Sequence, residues 1–170
     1  MTHTVDEPVP VSTDRFRSIM GTVCAQVAVL TAITEDGRAH GTTVTAFASL
    51  SLDPPMVSAA LDRSSRLLAA VRESRRVGIT LLAEGQDELA TQFATKAGDK
   101  FDGVAWHLRG GLPRLDDSAG WLGCQVRDLV DGGDHVVLFC LVDDVEVSQQ
   151  RPLVYGHRQF GTHSGLLRPV

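Results

Sequence analysis

The sequence predicts a mainly β, antiparallel barrel carrying only short helices. Three observations predict it. Apolar runs rich in Val, Leu, Ile and Thr recur along the chain, separated by turn clusters such as Glu35-Asp36-Gly37-Arg38 and Asp131-Gly132-Gly133-Asp134. The helical patterns between these runs are short, which favours strands joined by turns over a parallel βαβ wind. At 170 residues, 43% hydrophobic and 22% charged, the chain is long enough to bury one core without staples.

Taken in order, Ser12 or Thr13 caps a helix over 14–20 that places Phe16, Ile19 and Met20 on one side and closes at Gly21. Residues 27–34 read as a strand and 35–38 as a hairpin turn, with Asp36-Gly37 suited to positive φ. The returning strand is GTTVTAFASLSLDPP (41–55), ended or bent by Pro54-Pro55, and a further strand covers 56–61. A helix over 65–74 puts Leu67, Leu68 and Val71 on one face. A strand follows over 75–83, a helix over 86–95, and a Gly- and Asp-punctuated loop over 96–103. Strands over 121–130 and 135–147 flank the turn at 131–134, and 152–162 forms the last strand. Residues 1–12, acidic and proline-bearing, read as a flexible leader, and 13–170 as a single domain.

A net charge of −5 and a pI near 5.6, with the acids dispersed, speak against a nucleic-acid surface. Cys24, Cys124 and Cys140 are odd in number and far apart, which suits reduced thiols in a cytoplasmic protein. No run approaches the ~20 apolar residues that span a bilayer. The sequence contains no GxGxxG, Walker loop, GxSxG elbow or HExxH, so neither a Rossmann or P-loop nucleotide site nor a metal centre is expected.

Three polar stretches exceed what a plain barrel needs. Thr42-Thr43-Val44-Thr45-Ala46, followed by Ser49 and Ser51, is small and hydroxyl-rich. It suits either an ordinary edge strand or a backbone open to a flat polar ligand, with Thr43 and Thr45 pointing one way. Asp62-Arg63-Ser64-Ser65-Arg66 enters a helix, where it serves as a cap or as a phosphate seat. Gly132-Gly133-Asp134-His135 sets a histidine at the mouth of an apolar strand.

In order and approximate spacing, FRSIMG (16–21), GTTVTAFASLSLDPP (41–55), LDRSSRLL (61–68), FATKAGDKF (93–101), GGDH (132–135) and PLVYGHRQFG (152–161) resemble the flavin reductase-like family. This family supplies the reductase components of two-component flavin-dependent monooxygenases. The resemblance implies a split β-barrel of the FMN-binding type with Greek-key-like order, usually a homodimer with flavin near the interface. It further implies reduction of FMN or FAD by NADH or NADPH, hydride passing to flavin N5, and delivery of reduced flavin to a partner monooxygenase. A flavin-binding carrier or sensor of the same fold, without NAD(P)H turnover, is the alternative.

Carried over by motif, Thr43, Val44, Thr45, Ala46, Ser49 and Leu50 would border the isoalloxazine. Ser64 and Ser65 would hold the phosphate, with Lys100 and Phe101 nearby. His135 would position the nicotinamide, and Tyr155 or Arg158 would lie near flavin or pyridine nucleotide. The chain differs from the family in reading Cys24-Ala25-Gln26-Val27 for a Thr-Gly-Val-type turn and Thr45-Ala46 for Asn-Ser. Its terminal YGHRQFG also has a variant order. With aromatics at only 5% of residues, stacking walls are scarce, which suits flavin used as a diffusible substrate.

Overall fold

The computed structural model describes residues 11–96 and 98–163. Residues 1–10 of the expected leader and 164–170 of the expected domain lie outside the described residues.

Helix α1 (Thr13–Met20) is capped by Ser12, whose hydroxyl accepts from the Arg15 N–H at 3.4 Å, and it buries no residue. After β1 (Ala25–Gln26), β2 (Ala28–Ile33) turns into β3 (Ala39–Val44) through Gly37 at φ +81°, a conformation that glycine adopts without strain. Strand β2 is buried on both faces. Ala28, Leu30 and Ala32 join a cluster with Leu67, Leu68 and Val71, while Val29 joins Phe93, Phe101, Leu115 and Leu153. Two-sided burial explains why this strand reads as a continuous apolar run.

The expected single strand over 41–55 is two strands, β3 and β4 (Phe47–Leu52), broken at Thr45-Ala46. The Phe47 N–H turns back to the Thr45 carbonyl at 3.0 Å, and the Ala46 carbonyl accepts from Ala60 at 3.0 Å. The reason lies in the sheet order. Strands β3, β2, β6 (Arg76–Leu81), β9 (Gly120–Gly132), β10 (His135–Val147), β5 (Pro55–Asp62) and β4 form one antiparallel sheet. Its two edges are therefore consecutive in the chain, and the bend carries the backbone from one edge to the other. The expected mainly β, antiparallel architecture is found, but the sheet is open and not closed into a barrel, since among the described residues β3 pairs only with β2.

Helix α2 (Arg66–Ser74) packs its Leu67, Leu68, Ala70 and Val71 into the first cluster, and α3 (Asp87–Ala94) packs Ala90 and Phe93 into the second. Each lies against β3 as well as β2. A hairpin of β7 (Trp106–Arg109) and β8 (Leu112–Leu115) is additional to the expected elements, with Gly110 and Gly111 both at positive φ in its turn. The expected final strand over 152–162 is likewise a hairpin, β11 (Val154–Gly156) and β12 (Gln159–Gly161). His157 and Arg158 turn it at φ +51° and +60°. Non-glycine residues in that region conceal the turn from a reading that looks for glycine.

Candidate functional site

Two adjoining hollows open beside β3. The smaller, about 250 Å³, is lined by Thr42 to Ala46, by Ala60, Leu61 and Asp62 of β5, by Ser65 before α2, and by His135 at the start of β10. The larger, about 720 Å³, lies within the ~300–1,000 Å³ usual for small-molecule sites. Arg38, His40, Arg66, Lys96, Lys100 and Trp106 line it among others, and Thr42, Asp62 and Ser65 border both hollows.

The free edge of β3 is the floor of this arrangement. An edge strand presents backbone N–H and C=O groups that no neighbouring strand pairs. Gly41 is required there by packing, because a Cβ would stand 2.6 Å from Phe93 Cε1. Thr43, expected to turn its hydroxyl to a ligand, instead donates to the Ala90 carbonyl at 2.6 Å. Helix α3 covers that face of β3, so only the Thr43 backbone remains for the hollow. Val44 turns its side chain into the first core cluster.

Ser64 and Ser65 separate in the same way. The Ser64 hydroxyl donates to Asp62 Oδ1 at 2.6 Å and its N–H to the same oxygen at 2.7 Å. These bonds hold the Asp62 carboxyl below its ordinary range. Ser65 is the N-cap of α2, yet its side chain makes no capping bond. Its hydroxyl and the first-turn N–H groups of α2 thus remain together at the positive end of the helix dipole.

Basic groups surround this point. Arg66 donates to the Lys96 carbonyl at 3.3 Å, linking the start of α2 to the loop after α3. Lys100 donates to the Phe93 carbonyl at 2.8 Å and the Gly41 carbonyl at 3.1 Å. Burial and then the Arg66 charge lower its pKa. An ammonium has three N–H donors, so one is left for a ligand. His40 is also lowered, first by burial and then by Arg66 and Arg38. Among the described residues, Arg38, Arg66, Lys96 and Lys100 form no ion pair with a carboxylate. Asp62 and Asp99 line the same hollow, and the Lys96 charge acts on Asp62, so these four cations face two carboxylates and leave a net positive surround at a helix start, which suits an anion such as phosphate.

At the other end, His135 Nδ1 lies 2.7 Å from Asp134 Oδ1, and the ring remains half-exposed on the smaller hollow. The turn that carries it is clamped by Arg63. This side chain donates to the Gly133 carbonyl at 2.7 Å and pairs with Asp131 at 3.0 Å. Arg63, which the motif places beside the phosphate serines, therefore belongs to the histidine's support.

The structure thus brings Thr43, Val44, Thr45, Ala46, Ser65 and His135 to one hollow and Ser64, Ser65, Lys100 and Phe101 to the other. Ser49, Leu50, Tyr155 and Arg158 line neither. Ser49 and Leu50 stand exposed on β4, Tyr155 packs against Phe160 at 5.1 Å between ring centres, and Arg158 occupies the β11–β12 turn. Arg38 and His40 are residues that sequence reasoning missed, whereas Thr42 belonged to the hydroxyl-rich stretch it singled out. The signal for His40 was the alternation of β3, which sets His40 and Thr42 on the same face. Among the described residues no cluster of three or more His, Cys, Asp or Glu forms a metal site, and no helix is long and apolar enough to cross a membrane.

Comparison with known proteins gives a consistent result. Residues 20–164 match the sequence model of the flavin reductase like domain. The chain is 38% identical over 147 residues to the flavin reductase (NADPH) of Lentzea aerocolonigenes, covering 85% of this chain and 86% of that one. It is 33% identical over 158 residues to the NADH-dependent flavin reductase StyB of Pseudomonas fluorescens, covering 91% and 92%. Among solved structures, the styrene monooxygenase flavin reductase of Pseudomonas putida S12 superimposes with a TM-score of 0.83 at 32% identity, over 89% of this chain and 99% of that one.

Proposed function

The chain belongs to the flavin reductase like family, and on that premise we propose that it reduces FMN or FAD with NADH or NADPH and passes the reduced flavin to a partner monooxygenase. One observation carries the reading. A hydroxyl-lined groove along the unpaired edge of β3 opens directly into a chamber whose basic side chains lack ion pairs. A flat polar ring with a phosphate tail meets both chemistries at once, so the residues present fit a flavin.

In this reading the backbone of Thr43, Thr45 and Ala46 meets the polar edge of the ring. Ser65, the first-turn N–H groups of α2 and Arg66 hold the phosphate, with the remaining Lys100 donor nearby. His135, held by Asp134, positions the nicotinamide. Bound flavin supplies the hydride acceptor, at N5, so the chain needs no nucleophile of its own. Its task is to hold two rings in a reactive arrangement and to place donors where negative charge develops. Among the described residues no Phe, Tyr or Trp lines the smaller hollow, which supports flavin entering and leaving as a substrate.

The finer architecture belongs to the same proposal. The Thr45-Ala46 joint between the two sheet edges supports a split barrel whose split lies between β3 and β4. Residues 13–170 act as one flavin-binding unit in the cytoplasm. Helix α1, which leaves Phe16, Ile19 and Met20 exposed, supports a homodimer in which a second copy covers that face. The test is anaerobic NAD(P)H oxidation with and without added flavin. Oxidation only when FMN or FAD is supplied is the expected result. Flavin binding with no NAD(P)H consumed would leave a carrier and overturn the reading.

A further inference from the structure

Resting on the flavin reading, we propose that Arg63 is a positioning residue for hydride transfer: it fixes the turn that carries His135 against the end of β5, and so aligns the nicotinamide without touching either ligand. Register is the first argument. His135 stands opposite Gly132 in the β9–β10 hairpin and opposite Asp62, the last residue of β5. Gly133-Asp134 is the turn between, with Gly133 at φ +68° as the first central residue of a tight hairpin requires. Arg63 is the first residue past the strand pairing, level with that turn, and it holds the turn at three points. Its backbone N–H donates to the Asp134 carbonyl at 3.1 Å and its Nε to the Gly133 carbonyl at 2.7 Å. Its Nη2 pairs with Asp131 Oδ1 at 3.0 Å.

Direction is the second argument. Asp62, Ser64, Ser65 and Arg66 each line one or both hollows, whereas Arg63 lines neither. Its guanidinium is committed to a carbonyl and a carboxylate of the hairpin, in a fork that a point charge cannot reproduce. The third argument is how little else holds the hairpin end. Strand β6 pairs with β9 only over Gly120–Gln125, so beyond that stretch β5 is the one strand beside the hairpin among the described residues. Residues 130–134 are exposed, and a segment with few packed contacts opens readily. The Arg63–Asp131 pair is itself exposed, at 43% and 74%, so it adds little to global stability. Its effect is local, on the backbone immediately before the imidazole, and Arg63 exchanges no proton or electron in the reaction.

The test compares full-length wild type with Arg63→Ala, Arg63→Lys, His135→Ala and the double variant Arg63→Ala/His135→Ala. Anaerobic NAD(P)H oxidation with FMN is measured on each, and FMN and riboflavin are titrated by fluorescence. Arg63→Ala is expected to lower kcat/KM for NAD(P)H about 10-fold, within the ~100-fold that a misplacement of 1 Å can cost. Both flavins should bind as they do to wild type. In the flavin-free protein, amide hydrogen exchange across 131–135 should quicken on the order of 10-fold, with the melting temperature unchanged. Arg63→Lys keeps the charge but loses the fork, and should recover little. In the His135→Ala background, Arg63→Ala should add almost nothing, because it acts through the imidazole. A further loss of the same size in that background would overturn the proposal, as would unchanged exchange across the turn or full recovery by lysine. Weaker FMN binding with riboflavin intact would move Arg63 to the phosphate. Wild-type kinetics in His135→Ala would sink the role of His135, and a wild type that consumes no NAD(P)H with FMN supplied would sink the reductase reading. Either result would take this proposal with it.

Discussion

The Ser64 hydroxyl donates to Asp62 Oδ1 at 2.6 Å, so of two adjacent serines at the start of α2 only Ser65 is left to meet a ligand. Ser65→Ala is therefore expected to weaken FMN by about 1–3 kcal/mol, the range for a hydrogen bond to a charged group, and to leave riboflavin nearly unchanged. Ser64→Ala should cost FMN less than Ser65→Ala does. Parallel titrations of FMN and riboflavin check this, and equal losses in the two variants would return Ser64 to the phosphate.

In the proposed reading His135, held by Asp134 at 2.7 Å, positions the nicotinamide. His135→Ala is expected to raise the KM for NAD(P)H and to lower kcat/KM on the order of 10–100-fold through misalignment of the rings. Flavin affinity should stay constant. Asp134→Ala, which frees the imidazole without removing it, should give a smaller loss of the same kind. Anaerobic hydride-transfer kinetics alongside flavin titration decide the matter. Lost flavin binding with intact nicotinamide kinetics would place His135 on the other ligand.

Thr43 donates to the Ala90 carbonyl, so its hydroxyl supports α3 and not the ligand. Thr43→Val keeps the strand-favouring shape and removes that bond. Stability measured by urea unfolding should fall by about 0.5–1.5 kcal/mol, the net worth of one hydrogen bond, while flavin affinity is retained. A loss of flavin affinity at unchanged stability would show that the hydroxyl reaches the ligand.

His40 provides a pH signature. In the free protein its pKa lies below 6.5, through burial first and the Arg66 and Arg38 charges next. Asp36 opposes that shift and Lys100 adds to it. An anion among these cations cancels their repulsion and raises the pKa, so His40 takes up a proton on binding. Affinity should then strengthen as pH falls through the bound-state pKa, and the gain should vanish above it. FAD is the suitable probe, because its diphosphate does not titrate near pH 6 as the FMN phosphate does. Calorimetry in buffers of different ionisation enthalpy should show proton uptake for wild type and less for His40→Gln. Identical uptake in the two would exclude His40.

Much of the local structure was legible in the sequence because short-range chemistry determines it. Asp36-Gly37 demands a turn, Ser12 caps α1, and Gly132-Gly133 announces the hairpin that presents His135. The hydroxyl-rich run at 41–55 and the ordered motifs were legible too, and with them the family. The hairpins at 106–115 and 154–161 were less so: the first lies in a stretch of weak alternation, and the second turns on His157 and Arg158, residue types that seldom announce positive φ.

What the tertiary structure alone decided is which groups remain available. Alternation along a strand assigns side chains to faces, but it does not say what will cover each face. Helix α3 takes the Thr43 hydroxyl, Asp62 takes that of Ser64, and two backbone carbonyls take two donors of Lys100. Sheet order has the same character. That β3 and β4 are the opposite edges of one sheet follows from long-range pairing, and this pairing brings Thr42, Asp62, Ser65 and His135 to a single groove. Hydrogen bonds saturate, so a polar residue's role depends on which partner reaches it first, and that is settled only when distant segments pack.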